Sequence, residues 1–152
     1  MQKDRISNNF FTDASAVPLV TAMHARCFMA SWSEVEFTSA LSIPGTLLQI
    51  LSSDQEPVGL SLYRIVSDEA EILTLGTLPE FRGKGFAAQL LAAGIEKLKD
   101  TGVRFVFLEV GSQNFTAIRL YTTGRFEEIG RRKNYYNRNG NPEDAIIMKR
   151  II

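Results

Sequence analysis

The stretch Leu78–Leu91, LPEFRGKGFAAQLL, sets two glycines and two cations into an apolar run where a helix begins. Gly83, Gly85 and Ala88 fit G-x-G-x-x-G/A, the pattern that cradles a pyrophosphate in dinucleotide-binding folds. Those folds run straight from their first strand into the first glycine and continue through a long βαβ series. Here Pro79-Glu80-Phe81-Arg82 intervenes, other strands precede this one, and only one further βαβ unit fits in the remaining chain. A P-loop is excluded, because Gly85 is followed by Phe86-Ala87 rather than Lys-Ser/Thr. Taken alone, the pattern reads as a helix N-terminus with a flexible entry. Its physical content is still specific. The N–H groups from Gly83 to Ala87 lack intrahelical partners, and the helix start is the positive end of the macrodipole. Missing side chains at Gly83 and Gly85 let a ligand touch the backbone, and Arg82 and Lys84 add charge. Together these suit a pyrophosphate.

Outward from this turn, small and apolar residues at Ala87, Leu90, Leu91, Gly94, Ile95 and Leu98 mark one face of a helix that Gly102 ends. Upstream, Leu47–Leu51, Val58–Val66 and Ala70–Leu78 read as strands separated by the turns Ser52–Pro57 and Ser67-Asp68. Before them come a helix over about Ala14–Phe28, capped by Asp13 or Ser15, and a short second helix ending near Leu41. Ser33 and Glu36 form a capping box for the latter. Downstream, Phe105–Val110 is apolar on both faces, as a central strand is. A helix over about Asn114–Thr123 follows, then strands near Glu127–Tyr135 and Ala145–Ile151 around the turn Asn137-Arg138-Asn139-Gly140. The order is αα, βββ, αβα, ββ. It predicts an α/β fold with a mixed central sheet, antiparallel ends, one parallel βαβ crossover and flanking helices. Its 152 residues, 45% of them apolar, suit one domain over 1–152 with a full core.

Seventeen Lys+Arg against seventeen Asp+Glu leave no net charge, so no global field draws the chain to nucleic acid or membrane. The single cysteine, Cys27, rules out an intramolecular disulfide framework and fits a reducing compartment; it reads as a packing residue. The lone histidine, His24, sits mid-helix, and CxxC is absent, so neither a catalytic triad nor a metal site is expected. The apolar stretch Ala14–Ala30 is interrupted by Pro18, His24 and Arg26, and its spacing suits an amphipathic helix rather than a signal peptide. A cytoplasmic location is the expectation.

A second stretch, Leu108–Tyr121, LEVGSQNFTAIRLY, places a carboxylate in a buried strand, an asparagine at a helix start and a tyrosine two turns on. Joined to Arg82-Gly83-Lys84-Gly85-Phe86-Ala87, it resembles the GNAT superfamily of acetyl-CoA-dependent N-acetyltransferases. Their R/Q-x-x-G-x-G/A turn holds the coenzyme A pyrophosphate. Within the superfamily, several further features look like the RimI type, which acetylates the N-terminal alanine of a small-subunit ribosomal protein. These are Trp32-Ser33, the LEV of Leu108–Val110, Leu120-Tyr121, Arg132 with Asn134-Tyr135-Tyr136, and Glu143–Met148.

The resemblance implies a role for each residue. Glu109 matches the general base; it shares a strand face with Phe105 and Phe107, and partial burial makes a carboxylate more basic. Tyr121 matches the general acid that protonates the departing thiolate. With ordinary values near 10 and 8.5 that transfer is uphill by about 2 kcal/mol, so the site must tune one partner. Acetyl-CoA, as cosubstrate, is expected along Leu75, Gly76 and Thr77, at the turn Arg82–Ala88 (Arg82, Gly83, Lys84, Gly85, Phe86, Ala87, Ala88) and at Asn114. Leu75 and Thr77 would offer backbone groups, while Gly76 permits close approach or marks a bulge. Trp32 and Tyr136 are candidates for the acceptor pocket.

Two positions depart from the family pattern. Gly111 stands where an arginine commonly follows LEV, and Gly124-Arg125-Phe126 replaces Leu-Gly-Phe, which implies a helix cap shifted by one residue. The expected activity is direct acetyl transfer to a protein N-terminal amine. The rivals are a small-molecule amine or lysine as acceptor, and a non-catalytic acyl-CoA-binding module.

Overall fold

The computed structural model describes residues 3–138 and 140–152. Seven strands form one mixed sheet in the order β1-β2-β3-β4-β5-β7-β6. They are β1 (Ile6–Phe11), β2 (Thr46–Ser53), β3 (Glu56–Val66), β4 (Glu69–Thr77), β5 (Phe105–Gly111), β6 (Glu127–Arg138) and β7 (Asn141–Ile151). Four helices flank it: α1 (Val17–Cys27), α2 (Glu34–Leu41), α3 (Phe86–Asp100) and α4 (Phe115–Thr123). Every neighbouring pair is antiparallel except β4–β5, the predicted crossover through α3.

Most expected elements are present, with shifted ends. The Ser33–Glu36 capping box forms as expected. Asp13 caps a 3-10 turn at Ala14–Ala16, and α1 starts only at Val17, with Pro18 in its first turn, where a missing N–H costs nothing. β1 is an addition that the sequence reading lacked. It pairs only with β2, on the sheet edge, and its ISNNFF sequence has no apolar alternation because little of it is buried. The last two strands run further than expected and meet at the Asn137–Gly140 turn, of which Asn139 lies outside the described residues.

Packing explains why the sheet carries helices on both sides. α1 and α2 bury Val20, Met23 and Phe37 against Leu48, Ile50, Leu60 and Leu62. On the other face, α3 buries Leu91, Ile95 and Leu98 with Val106, Leu108, Tyr121 and Met148. A buried polar contact joins α3 to the sheet. Tyr63 Oη donates to Gln49 Oε1 at 2.7 Å, and Gln49 Nε2 donates to the Leu90 carbonyl at 3.0 Å. Gly94 makes room for it, since a Cβ there would lie 1.9 Å from the Tyr63 hydroxyl.

The expected cap shift at the end of α4 does not occur. Gly124 keeps φ −77, and the left-handed position falls on Arg125, φ 69. The Phe126 N–H bonds the Tyr121 carbonyl at 2.9 Å and the Arg125 N–H bonds that of Thr122 at 3.1 Å, the two bonds of a Schellman cap. Leu91 explains the displaced glycine: a Cβ at Gly124 would lie 2.8 Å from its Cδ2. The glycine therefore serves helix packing, and an arginine takes the strained backbone. A left-handed non-glycine residue costs about 1–2 kcal/mol, offset by about 0.5–1 for glycine's greater unfolded-state freedom. Arg125→Gly should therefore stabilise the protein by up to about 1 kcal/mol, read as a melting-temperature rise of about 2–4 °C.

Candidate active site

β4 and β5 are hydrogen-bonded only from Glu69–Phe105 to Ile72–Leu108. Beyond that point the edges of the two strands have no ladder partner in one another. A register shift opposite Leu62 and Tyr63 puts a bulge at Leu73, which bends β4 where the pairing stops. A cavity of about 470 Å³ opens there. Leu75, Gly76 and Thr77 of β4 form one wall, and Asn114 and Tyr121 of α4 stand opposite. Arg82, Gly83, Gly85, Phe86 and Ala87 close it at the start of α3. A groove of about 780 Å³ between α3 and α4 continues from the same glycines past Ala88 to Arg119 and Arg150.

The turn holds both of its glycines in the left-handed region. Gly83 and Gly85 have φ 76 and 82, and a Cβ at either would meet nothing within 4 Å. Both positions thus face open space that a side chain would fill. Asn114 is an N-cap, accepting from the Ala117 N–H at 3.3 Å, and also lines the cavity. Arg82 is less available than expected. Its guanidinium donates to the carbonyls of Thr77 at 3.1 Å and Cys27 at 3.3 Å, tying the end of β4 to the end of α1. Lys84 is on neither wall; its ammonium lies 5.8 Å over the Phe81 ring.

Gly76 is not the bulge. Its missing side chain admits the ring of Phe28, whose Cε2 would be 2.9 Å from a Cβ at that position. Phe28 and Cys27 line the cavity, and the sequence reading assigned neither of them to it. They come from the end of α1, far before β4 in the chain, so no local pattern announces them. Burial pushes the Cys27 thiol up, against the opposing pull of Arg82 and Arg26, which suits its reading as a packing residue.

Tyr121 is buried, and burial pushes its phenol well above the ordinary 10. Any tuning of the proton transfer is therefore not a lowered tyrosine. Glu109 does not line the cavity. It sits on the other face of β5, opposite Ile147 of β7, and is 22% exposed. Ile147 in turn faces Gly130 of β6, and Arg132, two residues along, reaches across β7 to place its guanidinium 3.0 Å from Glu109 Oε1. Of the neighbouring cations Arg131, Arg132 and Lys133, Arg132 is the one that pairs with this carboxylate among the described side chains. Arg131 pairs with Glu128 at 2.7 Å, and the side chain of Arg138 lies outside the described part.

Trp32 lies on the α1–α2 loop against His24 and Phe37, and Tyr136 packs edge-on against Tyr135 at 5.1 Å, so neither is on the cavity wall. Gly111, the departure from the family arginine, has a structural explanation. The Glu143 carboxylate occupies its side-chain space, 2.4 Å from where a Cβ would be, and accepts from the Gln113 N–H at 2.8 Å. Among the described residues no cluster of three His, Cys, Asp or Glu could hold a metal ion, and no helix is long and apolar enough to cross a membrane.

Comparison with known proteins agrees with this architecture. The model of the acetyltransferase (GNAT) family matches residues 17–124. The [ribosomal protein bS18]-alanine N-acetyltransferase of Salmonella typhimurium is 32% identical over 132 residues, 87% of this chain and 88% of its own. Its Escherichia coli counterpart is 30% identical over 136 residues, 90% and 91% of the two chains. The crystal structure of the Escherichia coli ribosomal-protein-S18-alanine N-acetyltransferase superposes with a TM-score of 0.88 at 29% identity, covering 99% of this chain and 94% of the other. Arabidopsis thaliana NAA60 in complex with acetyl-CoA shares the fold at 20% identity, with a TM-score of 0.83 over 97% of this chain and 99% of its own. Matched in sequence from α1 through α4 and in fold over nearly its whole length, the chain belongs to the GNAT family of N-acetyltransferases.

Proposed function

We propose that this protein transfers acetyl from acetyl-CoA directly to an N-terminal α-amine, the acceptor being the alanine of ribosomal protein bS18 for which its relatives are named. On this reading it works in the cytoplasm, where ribosomal proteins are made. The observation that carries the reading is the parting of β4 from β5, with Tyr121 and the positive-φ glycine turn lining the gap. Unpaired strand-edge amides in a cavity need a partner, and the amide-bearing pantetheine arm of coenzyme A supplies one. The turn at Gly83–Ala87 meets the pyrophosphate, and the adjoining groove with Arg119 offers room and charge for the remaining phosphate.

Acetyl-CoA brings an activated thioester carbonyl. Backbone N–H groups of β4 near Leu75–Thr77 hold that carbonyl and stabilise the negative charge it gains on attack. Glu109 takes the proton of the arriving ammonium. Arg132 must first yield the carboxylate; its guanidinium is more than half exposed, and ion pairs at the surface are worth only about 0–1 kcal/mol, so exchange is cheap. Tyr121 donates its proton to the leaving sulfur and recovers one from the second proton that the attacking nitrogen sheds as the intermediate collapses to the amide, while the proton held by Glu109 passes to solvent. The phenol's burial does not defeat this, because the same surroundings also disfavour a thiolate.

Acetyl-CoA should raise the melting temperature by mass action while NAD does not. Gly85→Asn tolerates the left-handed backbone and places its side chain in the open cradle, so it should lose that shift yet keep the apo melting temperature. A shift with NAD in place of acetyl-CoA would overturn the coenzyme assignment. Glu109→Gln and Tyr121→Phe should each bind acetyl-CoA like the parent and lower kcat by roughly 10²–10⁴. Because burial raises the Tyr121 phenol above its ordinary 10, the acid stays protonated, and kcat should not fall with rising pH below that value.

The acceptor is tested with one peptide carrying both an N-terminal alanine and an internal lysine. Losing the proton at pH 7 costs a lysine about 3.4 kcal/mol more than an α-amine, and Arg132 beside the base disfavours a permanent cation. Mass spectrometry should find the α-amine acetylated and the lysine untouched. Modification confined to the lysine rejects the N-terminal reading and leaves the acetyltransferase standing.

A further inference from the structure

We propose that His24 is a positioning residue: a two-ended bracket that ties the α1–α2 loop to the acetyl-CoA strand and so holds the acceptor side of the site in register with the thioester. The proposal rests on Trp32 as a candidate for the acceptor side, its segment reaching the cavity through Phe28. His24 sits in the last turn of α1, is only 2% exposed, and takes no part in the chemistry above. Both ring nitrogens are engaged. The Trp32 N–H donates to Nδ1 at 3.0 Å, so that nitrogen carries no proton. The proton is therefore on Nε2, which donates to Thr74 Oγ1, also at 3.0 Å.

The two ends of the bracket are informative. Thr74 follows the Leu73 bulge and immediately precedes Leu75, where the acetyl-CoA wall starts. Trp32 belongs to the segment joining α1 to α2, as does Phe28, whose ring lies on Gly76. The imidazole is packed among the Phe28, Phe37 and Trp32 rings, with centroids 4.5, 5.4 and 6.1 Å away. One neutral ring thus sets the spacing between the loop and the strand through two directional bonds and three ring contacts.

Protonation would break the bracket, because an imidazolium directs an N–H from Nδ1 at the N–H of Trp32. Burial pushes the His24 ring below its ordinary 6.5, with Glu36 of α2 acting in the opposite sense. Of the other nearby groups, Arg26 of α1 is paired with Glu80, Arg82 is bonded to the Cys27 carbonyl, and burial keeps the Cys27 thiol neutral. With the folded value depressed, the stability from neutral His24 is present in full above 6.5 and is lost as pH falls through the folded value.

Trp32 is the only tryptophan, so its emission reports on the bracket in the free protein, whatever the acceptor. As the pH is lowered from about 8 to the acid limit of the folded range, the parent emission should change reversibly, with a midpoint below that of an ordinary imidazole, and His24→Phe should abolish the change. In turnover of the alanine peptide, His24→Phe should raise the acceptor KM about tenfold, the loss expected for one to two hydrogen bonds, while the acetyl-CoA thermal shift is retained. Thr74→Val should reproduce part of that rise and Thr74→Ser none of it, which keeps the test available if His24→Phe does not fold. A pH-independent Trp32 emission in the parent, or loss of acetyl-CoA and acceptor binding in equal proportion, overturns the bracket. Failure of the parent to acetylate the peptide would instead strike the acceptor reading, with the emission titration still deciding whether the bracket exists.

Discussion

A parallel pair of strands that stops pairing part-way is the constraint on which the rest of this structure depends. β4 and β5 share hydrogen bonds up to Ile72–Leu108 and then separate, although both continue. Backbone amides cannot be left buried without partners, so such a gap is tolerated only where a ligand or solvent can reach it. The carboxyl ends of two parallel strands at a change in strand order are where open α/β sheets bind ligands. Here the order changes at β5, whose other neighbour is β7 rather than β6. The bulge at Leu73 bends one side of the gap, α3 starts at its mouth, and α4 places Tyr121 on its wall.

Two glycines far from the turn show how tightly the gap is furnished. Gly76 gives up its side chain so that Phe28 can lie on β4, and Gly111 gives up its own so that Glu143 can cap the chain entering α4. In each case a residue distant in sequence fills the vacated space and helps shape the site. The same accounting explains Gly124, which is close to Leu91 and leaves the left-handed cap to Arg125. Close approach, rather than turn geometry, decides where these glycines stand.

The two candidate catalytic groups are supported differently. Tyr121 is held in the α3–α4 core, where burial keeps its proton on. Glu109 lies on the opposite side of β5, partly buried, with its charge met by Arg132 from the last hairpin. On the proposed reading, the buried phenol stands near the thioester and the carboxylate on the acceptor side, two halves that meet at the end of β5.

Local chemistry alone was sufficient for the α/β order, the glycine turn, the Ser33–Glu36 capping box and the Asn114 cap, because each depends on residues within a turn of one another. The family resemblance likewise rested on short motifs. β1 was invisible because an edge strand held by backbone pairing to β2 needs no apolar alternation. The places of Phe28, His24 and Arg132 were decided only in three dimensions. His24 meets Thr74 fifty positions away, and Arg132 reaches Glu109 across an intervening strand. Periodicity tells which face of an element is buried, but not which distant side chain will meet it there; that is set by how the helices and the final hairpin pack onto the sheet.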